Sequence, residues 1–426
     1  MADLLALSTR IIDSGVADEP VNRVTHTLSE VADGLAMVES FSHSVVLDGG
    51  DGLVAFDASH AMFGAQVVEA IGEWRSTPVT QLVYTHGHTD HVGGSVDFAA
   101  AYGEMSVVGH RNVDVRFDRY YYTNDWNVLI NARQFGGVRG DVGMGNGDRE
   151  FIPIDTRRPT HVVDDHDTIV VGDRTIELHH ARGETDDHLW GWMPEQKWLF
   201  TGDFVIWNFP NAGNPQKVQR YPIEWAAALR AMIARQPELL LPAHGLPIEG
   251  RDRIAGVLTD IADALDGLVD DVVEMMNAGE VLDTIIHSVK PADGVLEKPY
   301  LRPFYDEPEF VVRNIWRQFG GWWDGAPSRL KPAPDAALAT EVADLAGGAG
   351  VLSDRAAELS EAGDHRLACH LADLAGWSAP DDPAIHQARA NIYRARRRSE
   401  TSLMSKGIFA GAARESEAIV KAGESE

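Results

Sequence analysis

The stretch Thr85-His86-Gly87-His88-Thr89-Asp90-His91-Val92-Gly93-Gly94 places three histidines and an aspartate within six positions, directly after the apolar run Gln81 to Tyr84. In an extended loop His86 and His88 alternate, so both imidazoles can point to one side and hold one ion. Asp90 and His91 can turn toward a second. Neutral imidazole and carboxylate suit borderline divalent cations such as Zn2+, and two ions about 3.5–4 Å apart form a known hydrolytic clamp. Chance placement of these residues behind a strand and before two glycines is improbable.

Working outward, Val45 to Asp57 reads as two apolar runs around a Gly/Asp turn, a β-hairpin with Asp57 at its end. Ala65 to Trp74 has helical spacing, Gln81 to Tyr84 is a short buried strand, Val92 to Tyr102 a helix and Ser106 to Gly109 a strand. Strand and helix therefore alternate as in layered α/β folds. From Arg111 to Thr160 the period breaks in an aromatic and glycine-rich insertion, with Tyr120-Tyr121-Tyr122, Trp126 and the glycines from Gly136 to Gly147. We expect an irregular lid or binding loop there. Strands return at Thr168 to Val171, Thr175 to Leu178, Leu189 to Met193 and Trp198 to Thr201; a helix at Ile223 to Ile233 and a last strand at Leu239 to Leu241 precede Pro242-Ala243-His244-Gly245. Beyond Arg251 only helices are expected. Leu338, Val342 and Leu345, then Leu352, Ala356 and Leu359 before Gly363, then Leu367, Leu371 and Leu374 before Gly376 form helical stripes with glycine stops.

At 426 residues the chain suggests two or three units, and 44% apolar with 24% charged residues is a globular composition. With 37 basic against 65 acidic residues, a formal charge of −28, most of the surface repels nucleic acid. A lone Cys369 excludes an internal disulfide. The N-terminus has no basic start followed by an apolar run, and no stretch reaches membrane-spanning length, so we expect a cytoplasmic protein without membrane insertion.

The pattern His-x-His-x-Asp-His resembles the metallo-β-lactamase superfamily. In most of that superfamily the next ligand is a His in a Gly-His-Thr turn; here the turn is Arg182-Gly183-Glu184-Thr185. Glutamate at that place marks the alkylsulfatase branch, which follows it with an acidic bridging ligand, here Asp203, 19 positions later. That family more often has Glu there. Arg313-Asn314-Ile315-Trp316, Gly320-Gly321-Trp322-Trp323-Asp324-Gly325-Ala326-Pro327 and Glu361-Ala362-Gly363-Asp364 resemble the alkylsulfatase dimerisation domain. The implied fold is α/β, a metallo-β-lactamase αββα sandwich followed by an all-α helical dimerisation domain. We place a catalytic domain at 1–250, a helical connector with the start of the dimerisation region at 251–330 and the α-helical dimerisation domain at 331–426.

The resemblance implies two Zn2+ per chain, one on His86, His88 and Glu184, the other on Asp90, His91 and His244, with Asp203 and a hydroxide bridging. Asp90 and Asp203 are then the catalytic carboxylates. His188 is the rival of Glu184 as ligand, otherwise a supporting residue. Asp57 would orient a metal-bound histidine. His43, His110, His161, His166, His179 and His180 read as surface or hydrogen-bonded histidines. The family grips sulfate with an Asn and an Arg after the bridging acid. Asn211 matches the Asn; Lys217 or Arg220 stands for the Arg, in a segment, Phe209 to Arg220, otherwise unlike the family's. Tyr120, Tyr121, Tyr122, Trp126 and Trp207 either line an apolar cleft or pack the insertion, and Tyr122 is taken as a substrate contact.

The expected activity is hydrolysis of an alkyl sulfate ester by a homodimer. Two alternatives stand beside it: a lactone, carboxylic ester or phosphoester hydrolase on the same site, and a noncatalytic metal-binding assembly protein. A site open to water argues against the last.

Overall fold

The computed structural model describes residues 3–136 and 150–423. Strands β1 (Leu28–Ala32), β2 (Leu35–Val38), β3 (Ser44–Asp48), β4 (Leu53–Phe56), β5 (Val79–Val83), β6 (Ser106–His110) and β7 (His161–Val163) form one sheet in that spatial order. Strands β8 (His166–Val171), β9 (Arg174–His180), β10 (Leu189–Met193), β11 (Trp198–Gly202), β12 (Leu239–Pro242) and β13 (Ile248–Glu249) form a second, ordered from β13 to β8. The helices are α1 (Leu4–Ser14), α2 (Gly64–Trp74), α3 (Thr89–Val92), α4 (Ser95–Tyr102), α5 (Asn112–Tyr122), α6 (Asn124–Gln134), α7 (Pro222–Ala234), α8 (Arg251–Asn277), α9 (Leu282–Ser288), α10 (Pro308–Gly320), α11 (Pro327–Leu330), α12 (Asp335–Ala346), α13 (Ala349–Glu361), α14 (His365–Ser378), α15 (Pro383–Ser399) and α16 (Leu403–Gly423).

Strand alternation sends Val54 and Phe56 into one core and Leu53 and Ala55 into another. All four are buried, because the first sheet is covered on both faces. On one side Phe56 stacks on Phe200 of the second sheet at 4.2 Å. On the other, Val67, Ile71 and Phe98 from α2 and α4 close the layer. Helices α7 and α8 pack behind the second sheet. This is the expected αββα sandwich.

The described residues of Met1–Asn124 and Glu150–Gly321 make one compact unit, and those of Asp125–Arg149 and Trp322–Glu426 another. In the second, α12 to α16 pack on one another, with α6 beside α16: a Cβ on Gly407 would lie 1.7 Å from the carbonyl oxygen of Gln134. Its core is small. Ala339, Ala343, Ala356, Ala368, Ala372 and Ala375 are buried, whereas Leu338, Leu345 and Leu367 are 55%, 88% and 47% exposed. The leucine stripes are helical as expected, but on α12 and α14 part of the stripe faces outward.

Three expectations are corrected. The segment after Arg111 is not irregular throughout: residues 112–134 form α5 and α6, and the glycine-rich part from 137 lies outside the described residues. The buried positions of α5, Val113, Arg116, Phe117 and Tyr120, do have helical spacing, but one of them is an arginine, which hides the apolar period. The helix expected over 92–102 is two, because the Gly94 amide bonds to the Ser59 carbonyl instead of continuing a helix. Helix α14 passes through Gly376, which is buried there against side chains of α15. No described helix is long and apolar enough to cross a membrane.

Candidate metal centre

β4 and β5 run parallel with Phe56 beside Val83, so the residues just past their ends, Asp57 and Thr85, emerge together. Asp57, buried and at φ +60, accepts from the Thr85 amide at 2.8 Å and its hydroxyl at 2.7 Å. Its Oδ2 also meets Nδ1 of His91 at 2.8 Å, leaving Nε2 of that ring facing the site. The supporting place given to Asp57 thus has a concrete geometry. A second brace was missed in the sequence: Asp187 accepts from the Gly87 amide at 3.1 Å, between the two histidines, and is itself held by buried Arg116 at 2.8 Å.

The second sheet brings the remaining groups. β11 and β12 are parallel with Gly202 beside Pro242, which sets Asp203 and His244 at adjacent strand ends. His43 braces the His244 turn: its amide donates to the Ala243 carbonyl at 2.7 Å, and its Nε2 donates to the Gly245 carbonyl at 2.8 Å while Nδ1 accepts from Ser40. Burial and then the nearby His244 push its pKa down to about 3, so the ring is a neutral strut.

Two groups result whose ligand atoms lie within 4.8 Å of one another, His86, His88, Glu184 and Asp203 in one and Asp90, His91 and His244 in the other. Asp203 reaches both: Oδ2 lies 3.8 Å from His86 and 3.4 Å from His91, and Oδ1 lies 3.6 Å from His244. His244 also stands 3.4 Å from Asp90, and His88 3.4 Å from Glu184. His188 is not in either group; its Nε2 accepts the Asp203 amide at 3.1 Å and so fixes the backbone of that residue.

The donor set fits divalent ions. Nε2 of His91, Oε2 of Glu184 and Oδ1 of Asp203 are buried and, among the described residues, without a hydrogen-bond partner. Unpaired buried polar atoms are costly and need an explanation. Burial and then the neighbouring His91 hold His86 well below its ordinary pKa, leaving it in the neutral, ligating form. Burial holds His88 low in the same way, aided by Arg220. Burial drives Glu184 upward, with Asp203 adding to it and Arg220 opposing it.

Beside this centre the loop 209–220 carries the candidate substrate contacts. Asn211 donates to Oε1 of Glu184, and Nη1 of Arg220 lies 3.0 Å from the same oxygen and donates to the Glu184 carbonyl. Lys217 forms no ion pair among the described residues; its Nζ sits 5.4 Å over the Phe151 ring, and burial, then Arg220, bring its pKa down to about 8. Tyr122, taken as a substrate contact, stands at the end of α5 and is 91% exposed. Tyr120 and Trp207 are core residues, which favours packing over a cleft for these two.

The loop is held from a distant place that the sequence did not point to. Buried Asp306 accepts the amides of Gly213, Asn214 and Glu307 at 2.6, 3.1 and 2.7 Å. Asn314 of α10 donates to the Arg220 carbonyl at 2.9 Å and accepts its amide at 3.4 Å. The fit requires glycine at 213, where a Cβ would lie 2.5 Å from the backbone of Phe310.

Residues 38–244 match the metallo-beta-lactamase superfamily profile, and residues 282–418 match that of alkyl sulfatase dimerisation. The chain thus carries a metallo-beta-lactamase superfamily domain followed by an alkyl sulfatase dimerisation domain. A linear primary-alkylsulfatase of Pseudomonas sp. is 26% identical over 372 residues, covering 82% of this chain and 69% of that protein. An alkyl/aryl-sulfatase of Saccharomyces cerevisiae is 24% identical over 396 residues, covering 85% and 59%. The structure of a stereoselective inverting sec-alkylsulfatase from Pseudomonas sp. superposes over 92% of this chain and 65% of that one, with a TM-score of 0.81 at 21% identity, a likeness of fold. The chain thus spans between about half and two thirds of the length of most of these relatives.

Proposed function

We propose that this chain is a dinuclear-metal ester hydrolase acting on organic sulfate esters. The observation that carries the reading is Asp203, placed between the two ligand groups while Glu184, in the first, is tied to Asn211 and Arg220 of the loop beside it. His86, His88 and Glu184 would hold one ion, Asp90, His91 and His244 the other, and Asp203 both; Zn2+ suits this nitrogen and oxygen set. Ions so held supply Lewis acidity and a water nucleophile near neutral pH.

The chain's own groups do the rest. Asp57 fixes the His91 tautomer, and Asp187 and His43 hold the loops of His86–His88 and His244. Asn211, Arg220 and Lys217 are the donors for an anionic ester head: among the described residues Arg220 keeps a buried Nε without a hydrogen-bond partner, and Lys217 brings a cation that no carboxylate pairs. The alkylsulfatase names of the relatives support sulfate as that head.

The test is release of sulfate from a panel of medium-chain alkyl sulfates, aryl sulfates, lactones and phosphodiesters, with Asp203→Asn as blank. Selective, Asp203-dependent sulfate release supports the proposal; turnover of lactones or phosphodiesters alone overturns the sulfate assignment. We further infer a homodimer through the second unit, whose outward Leu338, Leu345 and Leu367 suit a partner surface. The unpaired Cys369 suits a reducing compartment such as the cytoplasm.

A further inference from the structure

A third cluster lies on the outer strands of the second sheet. β8 pairs antiparallel with β9 so that His166 stands opposite His179, and β10 places Trp190 opposite His179 on its other side. Directly opposed residues share a face, as do residues two apart in one strand. Glu177 therefore projects beside His179. One ligand atom from each of His166, Glu177 and His179 lies within 4.8 Å of the others, with His179 and Glu177 3.2 Å apart. The Trp190 ring stacks on the His179 imidazole at 4.3 Å and 21°, which limits the ring's rotation.

We propose that His166, Glu177 and His179 form an auxiliary site for a borderline divalent cation of the zinc or copper class. Two imidazoles and one carboxylate match the ligand preference of such ions, with positions left open for water. The opposed strands hold the donors in place, so binding orders little beyond side chains. Burial, with Arg235 and His166 adding to it, lowers the pKa of His179, so its imidazole is in the neutral form that binds a metal. Arg235, just past the end of α7, is the resident competitor: its guanidinium lies 3.5 Å from both Glu177 and His179. That side chain is 40% exposed, so swinging it aside costs little. The cluster then exchanges an arginine for a metal ion, and an ion there would pin the outer strand β8 to β9.

Zinc equivalents bound by the full chain are counted by equilibrium dialysis and elemental analysis, beside the His166→Ala/His179→Ala double variant. The native chain is expected to bind one equivalent more than the double variant, with ester hydrolysis unchanged between them. Arg235→Ala is expected to tighten that extra equivalent by up to about fivefold, the ceiling for an exposed ion pair, a gain that misfolding cannot produce. Copper(II) is expected to quench a component of tryptophan fluorescence that disappears in Trp190→Phe. Equal zinc counts in the native chain and the double variant would overturn the proposal, and so would an Arg235→Ala variant with unchanged or weaker zinc binding. None of these readouts depends on which ester the main centre cleaves.

Discussion

Asp57→Asn changes one oxygen to an amide nitrogen, and the structure says which contact fails. The remaining oxygen can still accept the Thr85 amide, now 2.8 Å from Oδ1. The new NH2 must then face the Thr85 hydroxyl and Nδ1 of His91, which lie 2.7 and 2.8 Å from Oδ2. A hydroxyl can turn to accept. The histidine can accept only as the other tautomer, with its proton on Nε2, the atom that faces Asp90 and Asp203 at 3.6 and 3.4 Å. A protonated Nε2 binds no metal. Partners that orient a ligating histidine are worth roughly 10–100-fold in metal affinity, or about 1.4–2.7 kcal/mol. The loss should fall on the ion of Asp90, His91 and His244 and spare the other. Chelator competition on zinc-loaded protein reads both affinities. Two ions held within about twofold of the native affinities would refute this reasoning, because it would mean that Asp57 does not set the tautomer.

Three further outcomes follow from the loop beside the centre. Lys217 titrates from a pKa brought down to about 8, so it carries its charge below that pH and loses it above; KM for an anionic ester should rise as pH passes 8, and Lys217→Gln should flatten that rise in a pH series of initial rates. Arg220→Lys replaces the guanidinium whose Nη1 meets both the carboxylate and the backbone carbonyl of Glu184, and should lower kcat/KM by roughly tenfold or more, as an imperfect replacement at a buried charge-assisted pair. Asp306→Ala leaves the buried amides of Gly213 and Asn214 without acceptors, at about 1–3 kcal/mol each; denaturant melts should show that loss, and kinetics should show a raised KM if the loop moves.

What could be read from the sequence was what the chain writes locally. His86 and His88 lie in the loop after β5 and Asp90 and His91 on the short helix α3 that directly follows it, and Glu184, Asp203 and His244 follow strand ends marked by apolar runs. The braces other than Asp57 were not legible, because each is a long-range pairing of ordinary residue types. Arg116 reaches Asp187 across 71 positions and Asp306 reaches Gly213 across 93. An arginine at a buried position broke the period of α5, so a helix read as a loop. On α12 and α14 leucine spacing marked the helices but not their inner faces, which alanines fill to let the backbones approach.

The central claim is that seven side chains hold two ions, with Asp203 shared. Anomalous diffraction at the zinc edge, from crystals of zinc-loaded protein, tests it most directly. The account predicts two neighbouring peaks, one within reach of His86, His88 and Glu184, the other of Asp90, His91 and His244, with Asp203 touching both. A single peak there, or a first ion bound by His188 with Glu184 turned away, would contradict it.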